Sequence, residues 1–142
     1  METRGRKKLT GVVFSDLGQA GSFMSLDWVQ KTLQEKLGFS PYPATLNLRL
    51  SSEKEVALWK EIQNEMESLD LPPPAPSFCS ARLFRVGIEG PGSGVGARLI
   101  GAVLVPEVND YPPNKIEVIA PLRLKDNLGI RDGDRLTLEF LG

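Results

Sequence analysis

The chain has no histidine and a single cysteine, Cys79. The first absence excludes a His-based catalytic triad, the second an internal disulfide, and together they remove the ligands of a structural zinc site. Neither sign of charge is in excess. The 17 basic and 18 acidic residues leave a formal charge of -1, so no overall field draws the molecule to nucleic acid or an anionic membrane, and any basic chemistry must be local. No run approaches the roughly 20 apolar residues that span a bilayer. The basic start, Met1 to Lys8, is not followed by an apolar stretch of signal-peptide length. These absences predict a cytoplasmic protein with no membrane partner. Cys79 reads as a small packing group, because no base stands ready to generate a thiolate.

What is present, 142 residues with 41% hydrophobic content, suffices for one real core. The expected organisation is a basic tail over 1–8 and a single domain over 9–142. Leu9 to Ser15 is rich in β-branched and aromatic residues and reads as a strand. A loop with Gly18 and Gly21 follows, then a helix over Asp27 to Leu37 in which Val29, Leu33 and Leu37 recur every four residues and Gly38 supplies the cap. Thr45 to Leu50 alternates, with Leu46, Leu48 and Leu50 on one face and Thr45, Asn47 and Arg49 on the other. Ser52 and Glu55 form a capping-box pattern ahead of Val56, Trp59, Ile62, Met66 and Leu69, which predicts a helix to about Ser68. Asp70 to Pro76 reads as a stiff extended connector.

The second half reads as β. Strands are expected over Cys79 to Glu89 and Arg98 to Pro106, joined by the glycine-rich turn from Gly90 to Gly96, and again over Lys115 to Ala120. A short helix is expected at Leu124 to Leu128. Gly133 and Asp134 turn the chain into a last strand, Arg135 to Leu141.

Three groups of residues could carry chemistry. Main-chain amides of the loop Asp16 to Ser22 could form an anion-binding concavity, although glycines between strand and helix also occur in plain turns, and the Asp16 carboxylate repels phosphate unless a cation intervenes. Thr45 and Asn47 offer neutral oxygens from one face of a strand, suited to a hydrated magnesium ion that keeps waters and takes substrate phosphates, or to ordinary outward polar positions. Glu117, with Arg123 and Lys125 across the Ala120-Pro121 break, could hold a polar ligand and a nucleotide, or be solvated surface charge.

These groups lie in blocks that resemble one family in order and spacing. Gly38-Phe-Ser-Pro-Tyr-Pro-Ala-Thr-Leu-Asn-Leu-Arg-Leu50 resembles the LGFxPYxGTLNLxL segment of the archaeal CTP-dependent riboflavin kinases. Ile100 to Pro106, Ile116 to Pro121 and Leu128 to Asp134 are similar to later blocks of that family, so the likeness spans Leu9 to Leu141. The resemblance implies a mainly β (α+β) fold, a six-stranded cradle-loop barrel with two or three peripheral helices. It implies a magnesium-dependent kinase that takes the γ-phosphate of CTP to riboflavin, giving FMN and CDP, with those flavins and nucleotides as its partners. Nucleic acid is not an expected partner, and the expected state is a monomer or weak dimer.

By the same resemblance, Asp16, Leu17, Gly18, Gln19, Ala20, Gly21, Leu122, Arg123, Leu124 and Lys125 form the nucleotide site. Thr45 and Asn47 hold magnesium, Asn109 and Glu117 contact the flavin, and Thr45, Asn47 and Glu117 are the catalytic set. The loop departs from the family's usual GLGEGR: it reads DLGQAG, with Asp16 and Ala20 in place of glycines and Gly21 in place of arginine, while Ala44 replaces the glycine before Thr45. These departures leave open a barrel that binds flavin or nucleotide without turnover. The stretch from Leu128 to Phe140 also resembles the closing hairpin of swapped-hairpin transcription factors, which leaves a DNA-binding regulator as a further alternative.

Overall fold

The computed structural model describes residues 7–15, 24–72, 80–89 and 99–141. Among them the order of elements is β1 (Lys8–Phe14), α1 (Asp27–Leu37), β2 (Leu46–Arg49), α2 (Glu53–Glu65), β3 (Leu69–Leu71), β4 (Ala81–Glu89), β5 (Leu99–Pro106), β6 (Lys115–Ile119), α3 (Leu124–Leu128) and β7 (Arg135–Phe140).

The strands close on themselves. β4 pairs with β5, β5 with β6, β6 with β2, β2 with β1 and β1 with β7, all antiparallel. The ring is completed where Val86 to Glu89 of β4 meet Phe140 to Thr137 of β7. β3 attaches to the Ala81–Leu83 half of the same β4 edge, so β3 and β7 divide that edge between them. This is the expected six-stranded barrel, with one strand more and three helices around it.

The two-residue period of the strands sorts side chains into two cores. Leu48, Val86, Val103, Ile116 and Leu138 fill the interior together with Trp59 and Ile62 of α2 and Leu124 of α3. Trp59 is wedged between Phe84 and Phe140, at ring-centroid distances of 5.6 and 5.5 Å. The intervening residues of β4, β5 and β6, among them Leu83, Ala102, Leu104 and Ile119, point outward and are covered by Val29, Leu33 and Leu37 of α1. Gly101 is needed where β5 crosses β6: a Cβ there would stand 2.4 Å from the Ile119 carbonyl oxygen.

Local signals account for the helices. α1 has the predicted bounds and ends on Gly38 at φ 86°. In α2 the Ser52 hydroxyl accepts from the Glu55 N–H, half of the capping box, whereas the Glu55 carboxylate accepts from the N–H of Thr10 on β1. The helix ends at Glu65, not near Ser68, and Asp70 with Leu71 belongs to a strand, not to a connector. Both corrections have one cause. Leu69 fits a helical repeat, but pairing with Leu83 on β4 satisfies the backbone and carries Leu71 into the α1 core. At the other end of the chain's basic start, Lys7 reaches Glu61 and Glu65 of α2. Cys79, the loop after Ser15 and the turn from Gly90 to Gly96 lie outside the described residues.

Candidate active site

The site is built on the outer face where β1, β2 and β6 run side by side. The register sets Phe14, Asn47 and Glu117 in one cross-strand row. Because Leu46 and Leu48 turn into the barrel, Thr45, Asn47 and Arg49 face the other way, as the alternation predicts.

Glu117 is 6% exposed and is the one charged side chain buried among the described residues. Its carboxylate is held from both sides: the Thr45 hydroxyl donates to Oε1 at 3.2 Å, and the Tyr111 hydroxyl donates to Oε2 at 2.7 Å. Donation by Thr45 fixes its proton and leaves the lone pairs of Oγ1 available. Beside it, Oδ1 of Asn47 is buried and has no hydrogen-bond partner among the described residues. A buried acceptor left in this way costs about 1–3 kcal/mol. Two free neutral oxygens next to a carboxylate make a hard donor set of the type that magnesium takes. Among the described residues no cluster of three or more acidic, histidine or cysteine side chains could cage an ion. An ion here would therefore keep waters or take ligand oxygens.

The approach to Thr45 is fixed by α1. Gln30 donates both amide hydrogens, to the Met24 carbonyl at 2.7 Å and the Pro41 carbonyl at 3.0 Å, and the Tyr42 N–H bonds the Ala120 carbonyl at 2.7 Å. Tyr42 and Ala120 also line a cleft of about 120 Å³ whose walls include Ala44, Thr45, Leu122, Arg123, Leu124 and Lys125. Thr45 and the 122–125 segment, singled out separately in the sequence, therefore share one cavity. Val118 lines it as well, one residue beyond Glu117.

The two basic residues of the cleft are already engaged. Arg123 is paired with Asp126 at 2.7 Å, on the exposed surface. Lys125 reaches Asp132 at 3.1 Å and the Ser15 hydroxyl at 3.1 Å, while Ser15 donates to Asp132 at 2.7 Å. The hydrogen bonds from Ser15 and then Lys125 hold the Asp132 carboxyl below its usual range. Asp16, Leu17, Gly18, Gln19, Ala20 and Gly21 lie outside the described residues, but Ser15, their immediate predecessor, is anchored to Lys125 at the rim of the cleft.

Asn109 is exposed in the loop between β5 and β6. It is Tyr111, two residues on, that bonds Glu117. Sequence reasoning missed Tyr111, Gln30 and the Ser15–Lys125–Asp132 network. The one available signal was the lone aromatic in the polar run Asn109-Asp-Tyr-Pro-Pro-Asn114, six residues before the glutamate.

Residues 13–140 match the family model of the CTP-dependent riboflavin kinases, which carries the description "Domain of unknown function DUF120". The riboflavin kinase of Archaeoglobus fulgidus is 34% identical over 142 residues, covering 99% of this chain and 57% of its own length. That of Pyrobaculum islandicum is 33% identical over 136 residues, covering 94% and 60%, and that of Methanocella arvoryzae 34% over 145 residues, covering 97% and 60%. The chain thus spans less than two-thirds of the length of these relatives.

Proposed function

The chain belongs to the CTP-dependent riboflavin kinase family, and from that premise we propose that it transfers the γ-phosphate of CTP to the 5′-hydroxyl of riboflavin. The alcohol oxygen forms a bond to the γ-phosphorus, the bond from that phosphorus to the β–γ bridging oxygen breaks, and the alcohol proton is released. The products are FMN and CDP.

The observation that carries this reading is the unpartnered, buried Asn47 Oδ1 beside the Thr45 hydroxyl and the Glu117 carboxylate. A barrel with no ligand to serve gains nothing from such an atom. Phosphoryl transfer needs alignment and charge neutralisation more than a protein nucleophile.

Thr45 and Asn47 would hold the magnesium ion that accompanies the nucleotide. Bound there, the ion would neutralise phosphate charge. The cleft beyond Thr45 suits the cytidine end, with Leu122 and Leu124 as apolar wall and main-chain groups of 122–125 as hydrogen-bonding edge. Asp16 to Gly21, which follow Ser15 in the chain, would supply the rest of the nucleotide site, as the family resemblance implies. Glu117 uses two of its roughly four acceptor positions on Thr45 and Tyr111, leaving others to orient the flavin's ribityl hydroxyl. Asn109, exposed in the same loop as Tyr111, would meet the flavin from outside.

The test is to incubate the chain with riboflavin, magnesium and each of CTP, ATP, GTP and UTP, and to resolve flavins by chromatography. FMN with CTP above the other three is the expected result. No FMN with any of them refutes the kinase reading, and calorimetric binding of riboflavin or CDP without conversion would then identify a non-catalytic binding barrel.

A further inference from the structure

The segment between β5 and β6 is built as a mount for one side chain, the half-buried Tyr111. Pro112 and Pro113 follow it directly; each fixes a φ angle, and the first biases Tyr111 itself away from helical backbone. The Pro112 carbonyl then accepts from the Lys115 N–H at 3.3 Å, and the Asn114 carbonyl accepts from the Leu50 N–H at 2.8 Å, which ties the segment to the end of β2. From this support the Tyr111 hydroxyl reaches Oε2 of Glu117.

Glu117 needs a restraint of this kind if it is to orient anything. Its backbone is held on both sides, by the pairs with Asn47 on β2 and Leu104 on β5, but the side chain turns about three bonds, and the last of these has no sharp rotamer. Two hydroxyls from different elements stop that rotation. Thr45 lies 3.2 Å from Oε1 and Tyr111 2.7 Å from Oε2, the second being the length of a strong bond to a carboxylate, so Tyr111 supplies the tighter restraint. Stability alone gives no reason for the arrangement. A buried hydrogen-bonded pair contributes about as much as two apolar groups of the same shape, and Ile119, the next residue on this face of β6, is apolar and packs in the α1 core.

We propose that Tyr111 is a positioning residue for phosphoryl transfer: it fixes the plane of the Glu117 carboxylate, so that the attacking alcohol meets an acceptor already in place. Tyr111 acts through Glu117, and the role rests on the kinase reading above. Without the phenol the carboxylate is left with a single 3.2 Å contact, and rotation about its last bond carries the remaining acceptor positions away from the hydroxyl they orient. Misalignment of a reacting group slows the transfer step far more than it weakens binding of the whole flavin.

The experiment is single-turnover FMN formation by the full chain in excess over riboflavin, at saturating CTP and magnesium, with riboflavin affinity measured in parallel by quenching of flavin fluorescence. It compares wild type, Tyr111→Phe and a protein carrying para-aminophenylalanine in place of Tyr111, each at a temperature where its far-UV spectrum and melting curve show it folded. Tyr111→Phe should form FMN about 10- to 100-fold more slowly while riboflavin affinity changes by less than about 2-fold, because the lost contact is with the aligning group and not with the substrate. The amine keeps a donor at the same point of the ring and should restore part of the lost rate. If Tyr111→Phe does not fold, Pro112→Ala decides: it keeps the hydroxyl, loosens its mount and should slow transfer by about 3-fold with flavin affinity unchanged. A wild-type rate in the variant that decides, a loss of rate matched by an equal loss of flavin affinity, or no recovery with the amine overturns the role. No FMN from wild type removes the kinase reading and this role with it, whereas an active wild type and an equally active Tyr111→Phe remove the role alone.

Discussion

Asn47→Val separates what this position does for the fold from what it does for a ligand. In the folded chain the amide oxygen is buried with no partner, a penalty of about 1–3 kcal/mol that valine does not incur. The main-chain pairs of Asn47 with Phe14 and Glu117 are untouched by the change, and a β-branched side chain suits a strand of this kind. Against that gain stands the hydration of the amide nitrogen, which valine gives up. The expected balance runs from no change to about 1–2 kcal/mol of added stability, or a few degrees in melting temperature. Activity should move the other way. If the oxygen is reserved for a metal-bound phosphate chain, FMN formation should fall by about 100-fold or more, comparable to deleting one donor to a transition state. Urea unfolding of the free protein and a flavin chromatography assay give the two numbers. A loss of stability above about 1 kcal/mol would mean that the fold itself uses the amide, and full activity in the valine variant would mean that no ligand does.

Tyr111→Phe removes a 2.7 Å hydrogen bond to a buried carboxylate and should destabilise the protein by about 1.5–3 kcal/mol, with most of that effect absent in a Glu117→Leu background, which has no acceptor for the hydroxyl. Additive single effects in that double-mutant cycle would disprove the coupling. Asp132 is held below its ordinary value of 3.8, so it stabilises the fold at neutral pH, and this contribution disappears as pH falls through the depressed value. Acid titration of wild type and Asp132→Asn should accordingly show two stability curves that differ at pH 7 and converge below about pH 4. Curves that run parallel down to pH 2 would refute the assignment. Gly101→Ala should cost at least about 1–3 kcal/mol, because the new methyl would meet the Ile119 carbonyl at 2.4 Å and Ile88 at 2.9 Å, and a main-chain oxygen in a paired strand cannot step aside. A melting temperature within a degree of wild type would contradict that contact.

How much of this was legible in the sequence depended on distance along the chain. The bounds of α1 followed from Val29, Leu33, Leu37 and Gly38, all within one short segment. The face shared by Thr45, Asn47 and Arg49 followed from strict alternation over six residues. Leu69 to Leu71 were misread because three residues before a proline run carry too little period of their own, and their pairing with β4 is a tertiary fact. The bond from Tyr111 to Glu117 spans a turn, so no periodicity reports it. The common cavity of Thr45 and residues 122–125 exists only because β2 lies beside β6.

The position of β7 between β1 and β4 has a consequence for biogenesis. β1 and β7, the first and last strands of the barrel in chain order, are hydrogen-bonded neighbours, so one edge of β1 stays open until β7 has been made. Contacts this remote in sequence slow folding and lengthen the time during which a bare β edge is available to other chains. Cells producing the protein quickly, or truncated before Arg135, should accumulate it as insoluble aggregate more readily than they accumulate helical proteins of the same size.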